Sequence, residues 1–145
     1  MPRRLNDQII AKEAVAVSGG ANAGLPIVGT KVNATGYSRA RFIFQLGSGA
    51  TTASLSTGLG AWQASTSGAT FARITGASAA AVTSGVLSGG ANNIVIIDVP
   101  VSGGTPWLVL SGSINQTGAP HSAVVELYSG INRTPDATAQ QVIVV

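Results

Sequence analysis

The chain has 145 residues with 19 Gly, no Cys, one His, five carboxylates and eight Lys or Arg, for a formal net charge of +3. Catalytic sites are assembled from polar groups with perturbed pKa values or from a bound metal, and this composition offers little material for either. Charged residues make up 9% of the chain, well under the share in ordinary soluble domains, which argues for a subunit whose neutral surface meets a neighbour.

Apolar residues are numerous enough for one core, against disorder, and no apolar run is long enough to span a membrane. Arg3, Arg4 and Lys12 concentrate basic charge in the first twelve positions. They form either a solvated terminus or a basic arm that touches an acidic partner. No basic cluster with interleaved aromatics follows, so direct sequence-specific nucleic-acid binding is not expected. Leu5 to Val17 is broken by Asn6, Asp7, Gln8, Lys12 and Glu13 and does not read as a signal peptide. The absence of Cys fits synthesis in a reducing cytoplasm. The sequons at Asn33, Asn115 and Asn132 are then chance occurrences.

A short helix is possible over Asn6 to Ala16, and the first predicted strand is Ala14 to Val17. After the turn Ser18-Gly19-Gly20-Ala21-Asn22 comes a second strand, Pro26 to Val32. Arg39 to Leu46 is the clearest strand. Its alternation places Phe42, Phe44 and Leu46 on a core face and Arg41, Ile43 and Gln45 on a half-exposed one. Ala53 to Leu59, Ala61 to Ser65 and Phe71 to Ile74 follow, then a weaker strand over Val82 to Leu87. Ile94 to Val99, closed by Asp98 and Pro100, reads as a strand buried on both faces. Trp107 to Leu110, Ala123 to Tyr128 and Gln141 to Val145 complete the set. Helix is excluded almost everywhere by dispersed Gly and Pro and by β-branched apolar runs; Ala77 to Ala81 is helix-prone but too short to stand alone. Turn signals every 8 to 12 residues or so give the pattern of a β-sandwich or barrel.

Little in this set points to chemistry. His121 lies in Gly118-Ala119-Pro120-His121-Ser122, a loop by its Gly and Pro. A hydrolase triad with a Ser and Asp98 is conceivable, yet no nucleophile elbow is present, and a solvated loop histidine is the simpler reading. Metal ligation would require partners the chain lacks. Gly47-Ser48-Gly49 and Gly58-Leu59-Gly60 do not complete a phosphate-binding fingerprint. Ser-Gly-Gly-Ala-Asn recurs at Ser18 and Ser88 as a reused turn. Trp62, Trp107 and Tyr37 are either a platform for sugars or anchors of a core or interface.

The segment Gly36-Tyr37-Ser38-Arg39-Ala40-Arg41-Phe42-Ile43-Phe44-Gln45-Leu46-Gly47 resembles small accessory virion proteins encoded near the capsid genes of tailed bacteriophages. The resemblance continues through Trp62-Gln63-Ala64-Ser65-Thr66-Ser67-Gly68-Ala69-Thr70-Phe71, the long strand Asn93 to Val99, Trp107-Leu108-Val109-Leu110, and Val124 to Pro135. It runs from about Ala14 to Pro135 as an order and spacing of strands. Those proteins usually carry more charge at the turn and in the penultimate strand, and an Arg or Tyr is common where Trp107 stands here.

The resemblance implies an all-β, single-domain antiparallel β-sandwich, jelly-roll-like, with extended N- and C-terminal arms. Residues 1–13 form the N-terminal arm, 14–135 the sandwich and 136–145 a C-terminal tail strand. It implies a capsid decoration, or cement, subunit that acts without catalysis and without a cofactor. The expected partners are the major capsid protein and the chain itself as a homo-oligomer, a trimer by the resemblance. The expected place is the outer surface of a phage head. Arg3, Arg4, Lys12, Gln141, Val142, Ile143, Val144 and Val145 are the candidate partner-interface residues. The tail strand either augments a neighbour's open sheet edge or forms an edge strand of its own chain. The alternatives are another shell or tail subunit, including a capsid protein itself, or a glycan-binding module.

Overall fold

The computed structural model describes residues 9–18, 26–46, 59–78, 94–113, 121–129 and 141–145. These residues form ten strands and no helix: β1 (Ile10–Ser18), β2 (Pro26–Val28), β3 (Val32–Asn33), β4 (Arg39–Leu46), β5 (Gly60–Ala64), β6 (Ala72–Ser78), β7 (Ile94–Pro100), β8 (Trp107–Ser113), β9 (His121–Tyr128) and β10 (Gln141–Val144). The pairing is nested. β5 pairs with β6, β4 with β7, β2 with β8 and β1 with β9, all antiparallel.

Successive nested pairs fall in different sheets. One sheet has the order β1-β9-β4-β7-β10 and the other β2-β8-β5-β6, with β3 also on β8. Each thus has a four-strand antiparallel core, and together they make a β-sandwich. The last strand departs from the antiparallel expectation. β10 runs parallel to β7, with Ile143 beside Ile97 and Val144 beside Asp98.

The alternation of apolar residues explains why these strands pack as two layers. Phe42, Phe44, Val95, Ile97, Val99, Val125 and Leu127 of the first sheet are buried in one cluster with Leu59, Ala61, Ile74, Leu108 and Leu110 of the second. At about 25 cal/mol per Å² of apolar surface removed from water, burying such side chains is the main stabilising term.

β4 has the bounds its alternation predicts, and Val95 to Val99 are buried on both faces, as their unbroken run suggested. Other expectations change. Ile10 to Ala16 is strand rather than helix, because Ile10–Glu13 stand opposite Leu127–Val124 of β9; sheet pairing outweighs a weak helical preference. Residues 10–13 of the proposed N-terminal arm therefore belong to β1. Of the C-terminal tail, Gln141–Val144 lie along β7 instead of extending away. Pro26 to Val32 splits into two strands around Gly29. A Cβ there would lie 2.5 Å from the Leu110 carbonyl oxygen and 2.8 Å from that of Ala14, an approach only glycine permits. The predicted strands Ala53 to Leu59 and Val82 to Leu87 lie outside the described residues, apart from Leu59, which is buried.

Candidate interaction surfaces

The registers line up side chains across the outer face of the first sheet. Ala11, Glu126, Arg41, Asp98 and Val144 form one row over all five strands. In the middle of that row Asp98 is only 3% exposed and Arg41 7%. A buried carboxylate requires partners, and strand spacing brings them. Asp98 Oδ1 accepts a hydrogen bond from Arg39 Nε at 2.9 Å. Its Oδ2 accepts from Arg41 Nε at 3.2 Å, from Arg41 Nη2 at 3.1 Å and from the Tyr128 hydroxyl. The Arg41 guanidinium also lies 5.8 Å from the centre of the Tyr128 ring, within cation–π range.

Three of those four hydrogen bonds converge on Oδ2 and one reaches Oδ1, so the buried carboxylate is held by donors from two neighbouring strands, β4 and β9. Burial, then the hydrogen bond to Asp98 and its negative charge, raises the Tyr128 pKa above its ordinary value. For Arg39, burial works to lower the pKa, but hydrogen bonding and attraction to Asp98 outweigh it and the pKa rises. Both shifts favour the protonation states that hold the cluster together.

Asp98 and His121 do not come together as a triad. His121 is not in a loop; it opens β9, half-buried, opposite Leu46, with its ring 6.1 Å from that of Phe44. Leu46 is five residues along β4 from Arg41, which faces Asp98. That is roughly 16 Å at about 3.3 Å per residue, too far for a hydrogen bond. Among the described residues no group of three or more His, Cys, Asp or Glu stands ready for a metal ion. No described helix is long and apolar enough to cross a membrane.

The outer face of the second sheet is aromatic. Trp62 stands opposite Val109, and Ala64 opposite Trp107, so the two indoles share a face. Both are half-buried, with Ala64 and Val109 buried beside them. The Arg73 guanidinium lies 5.6 Å from the Trp62 ring centre. Trp62 Nε1 is buried and makes no hydrogen bond among the described residues. Tyr37 is not part of this face; it packs partly buried against the core.

Of the candidate interface residues, Arg3 and Arg4 lie outside the described residues. Lys12 is in β1, and its Nζ reaches the Asn33 carbonyl across the sandwich at 3.4 Å. Gln141, Val142, Ile143 and Val144 form β10, which takes the intramolecular alternative; Val145 follows, its N–H donating to the Asp98 carbonyl at 3.0 Å. The polar cluster was missed by the sequence reading, which took Asp98 as the closing signal of a strand. The available clue was a single carboxylate inside Ile94-Val95-Ile96-Ile97-Asp98-Val99, with Arg39 and Arg41 on one face of the clearest strand.

No family model matches this chain, and neither does any curated protein or solved structure.

Proposed function

We propose that this chain is a structural subunit of a tailed-bacteriophage virion, a decoration protein that binds the outer surface of the head through non-covalent contacts with the major capsid protein. The observation that carries this reading is the strand order. Four nested antiparallel pairs, placed in the sheets β1-β9-β4-β7 and β2-β8-β5-β6, support the reading of a jelly roll, an architecture of viral capsid and lectin domains. Fold alone does not assign a function. The scarcity of charge and the resemblance of residues 14–135 to accessory virion proteins narrow it. A rigid sandwich bridges neighbouring capsid subunits, and many identical weak contacts on a symmetric shell sum to firm attachment.

The test is co-sedimentation of the purified chain with heads built from the major capsid protein of the phage that encodes it, followed by electron microscopy of the particles. Saturable binding with density at symmetry-related outer sites is the expected result. Heads that stay bare at every salt concentration would reject the proposal. A second reading, a glycan-binding module, is favoured by the shared face of Trp62 and Trp107. It predicts sugar-induced change in tryptophan fluorescence that is lost in Trp107→Ala.

A further inference from the structure

Among the described residues five large apolar side chains are exposed: Ile9, Ile10, Val124, Val144 and Val145. Four of them sit at or beside the two outermost strands of one sheet, β1 and β10. They also sit at the same height. Ala11 and Val144 end the same cross-strand row, and Lys12 and Ile143 end the next. Ile10 and Val145 stand one step further on the other side.

The two edges complement each other in backbone as well. Among the described residues β10 has one strand neighbour, β7, and β1 pairs only with β9. Because the Val145 N–H is directed to Asp98 of β7, strand alternation turns the peptide groups of Val142 and Val144 away from β7. β1 is antiparallel to β9, whereas β10 runs the same way as β9, so β1 and β10 run in opposite directions.

Natural edges are blunted by bulges, Pro, breaks or charges. β2 begins with Pro26 and is separated from β3 by Gly29; β6 is interrupted by a register shift and by Gly76 at φ +80°. β10 has no Pro, no Gly and no charged residue, and its Val144 is 60% exposed.

From these edges we infer that the chain self-associates head to tail, with Val142–Val145 of one copy pairing antiparallel with Ile10–Glu13 of the next. A copy rotated about an axis parallel to the strands keeps its height, so the matched rows meet without sliding. Such a contact closes into a ring when the rotation divides a full turn. Val144 and Val145 then cover Ile9 and Ile10, and the outward peptide groups of Val142 and Val144 gain partners. The contact does not depend on what the ring binds.

The natural chain has no Cys, so introduced pairs report contacts without background. Oxidation of mixed Ala11→Cys and Val144→Cys proteins should give cross-linked pairs, since opposed strand positions fall within disulfide reach. Each variant alone should stay uncross-linked. The unmodified chain should sediment as a discrete oligomer, and its Val142 and Val144 amides should lose protection from hydrogen exchange by about tenfold or more on dilution to monomer. Val144→Lys should sediment as a folded monomer. A chain that is monomeric up to its solubility limit overturns the inference. So does a Val144→Cys protein that cross-links to itself while the mixture does not. If Val144→Lys fails to fold, the exchange and cross-linking results decide.

Discussion

The Arg39 Nη2–H donates to the Val145 carbonyl at 3.0 Å, joining residues 106 positions apart in the chain. The same guanidinium binds the Asp98 carboxylate through Nε. Arg39 therefore ties β4 to β7 and to the end of β10 at once. The Val145 methyl groups face Gly76, 3.7 and 3.8 Å from where a Cβ there would be. The last strand is held at its far end by the Arg39 cation and the Val145–Asp98 backbone hydrogen bond.

Arg39→Ala should loosen this fastening. Hydrogen bonds to charged groups contribute about 1.5–3 kcal/mol, and partial exposure of the Arg39 side chain screens the ionic part. The expected loss is about 1–2 kcal/mol, read by urea unfolding. Amide exchange at Val145 should speed up more than exchange at Phe42. Equal changes at both positions would show that Arg39 acts on the whole fold and does not fasten β10.

Asp98→Ala should be far more damaging. It removes the Asp98 carboxylate from buried Arg41 and from the Tyr128 hydroxyl, and breaking one side of a buried ion pair costs about 3–5 kcal/mol. Differential scanning calorimetry checks this. A melting temperature within a degree or so of the native chain's would contradict the buried role of Asp98.

Tyr128→Phe removes one donor from Asp98 and should cost about 1–2 kcal/mol at neutral pH. The pH dependence follows from the raised pKa of Tyr128. Its contribution is complete below the unfolded value, which is 10.0 for tyrosine, and is lost as pH rises through the higher folded value. Deprotonation takes away the donated hydrogen and sets a phenolate against a carboxylate. Unfolding free energies measured from neutral to strongly alkaline pH should fall less steeply in Tyr128→Phe than in the native chain. Parallel curves would refute the assignment.

Gly29→Ala should destabilise by about 2–3 kcal/mol, in the range of other overpacking substitutions. The added methyl meets the carbonyl oxygens of Leu110 and Ala14, both backbone atoms that cannot swing aside. It also strains the hydrogen bonds from Gly29 N–H to Leu110 and from Thr30 N–H to Ala14, where the two sheets are laced together. Thermal unfolding by circular dichroism reads the effect. An unchanged midpoint would mean that this close approach is easily relaxed.

Much of the fold was legible because strand propensity and side-chain alternation are local. Period-two spacing of Phe42 and Phe44 identifies β4 and its core face without any partner in view. The unbroken apolar run before Asp98 identifies a strand covered on both sides. Which strands become neighbours is not local. Arg39 and Asp98 lie 59 positions apart and Asp98 and Tyr128 30, and only the registers of β4, β7 and β9 make them one cluster. The same holds for Asn6 to Ala16, where pairing with β9 overrides a helix-compatible stretch.

What the residues alone determined was an all-β chain with a single His and few charged groups. Those properties follow from composition and near-neighbour sterics. Tertiary structure decided that β10 runs parallel to β7, that Asp98 is buried among Arg39, Arg41 and Tyr128, and that Ile10 and Val144 stand at matching heights on opposite edges. Each of these depends on register between segments distant in sequence, which is set by the packing of the whole sandwich.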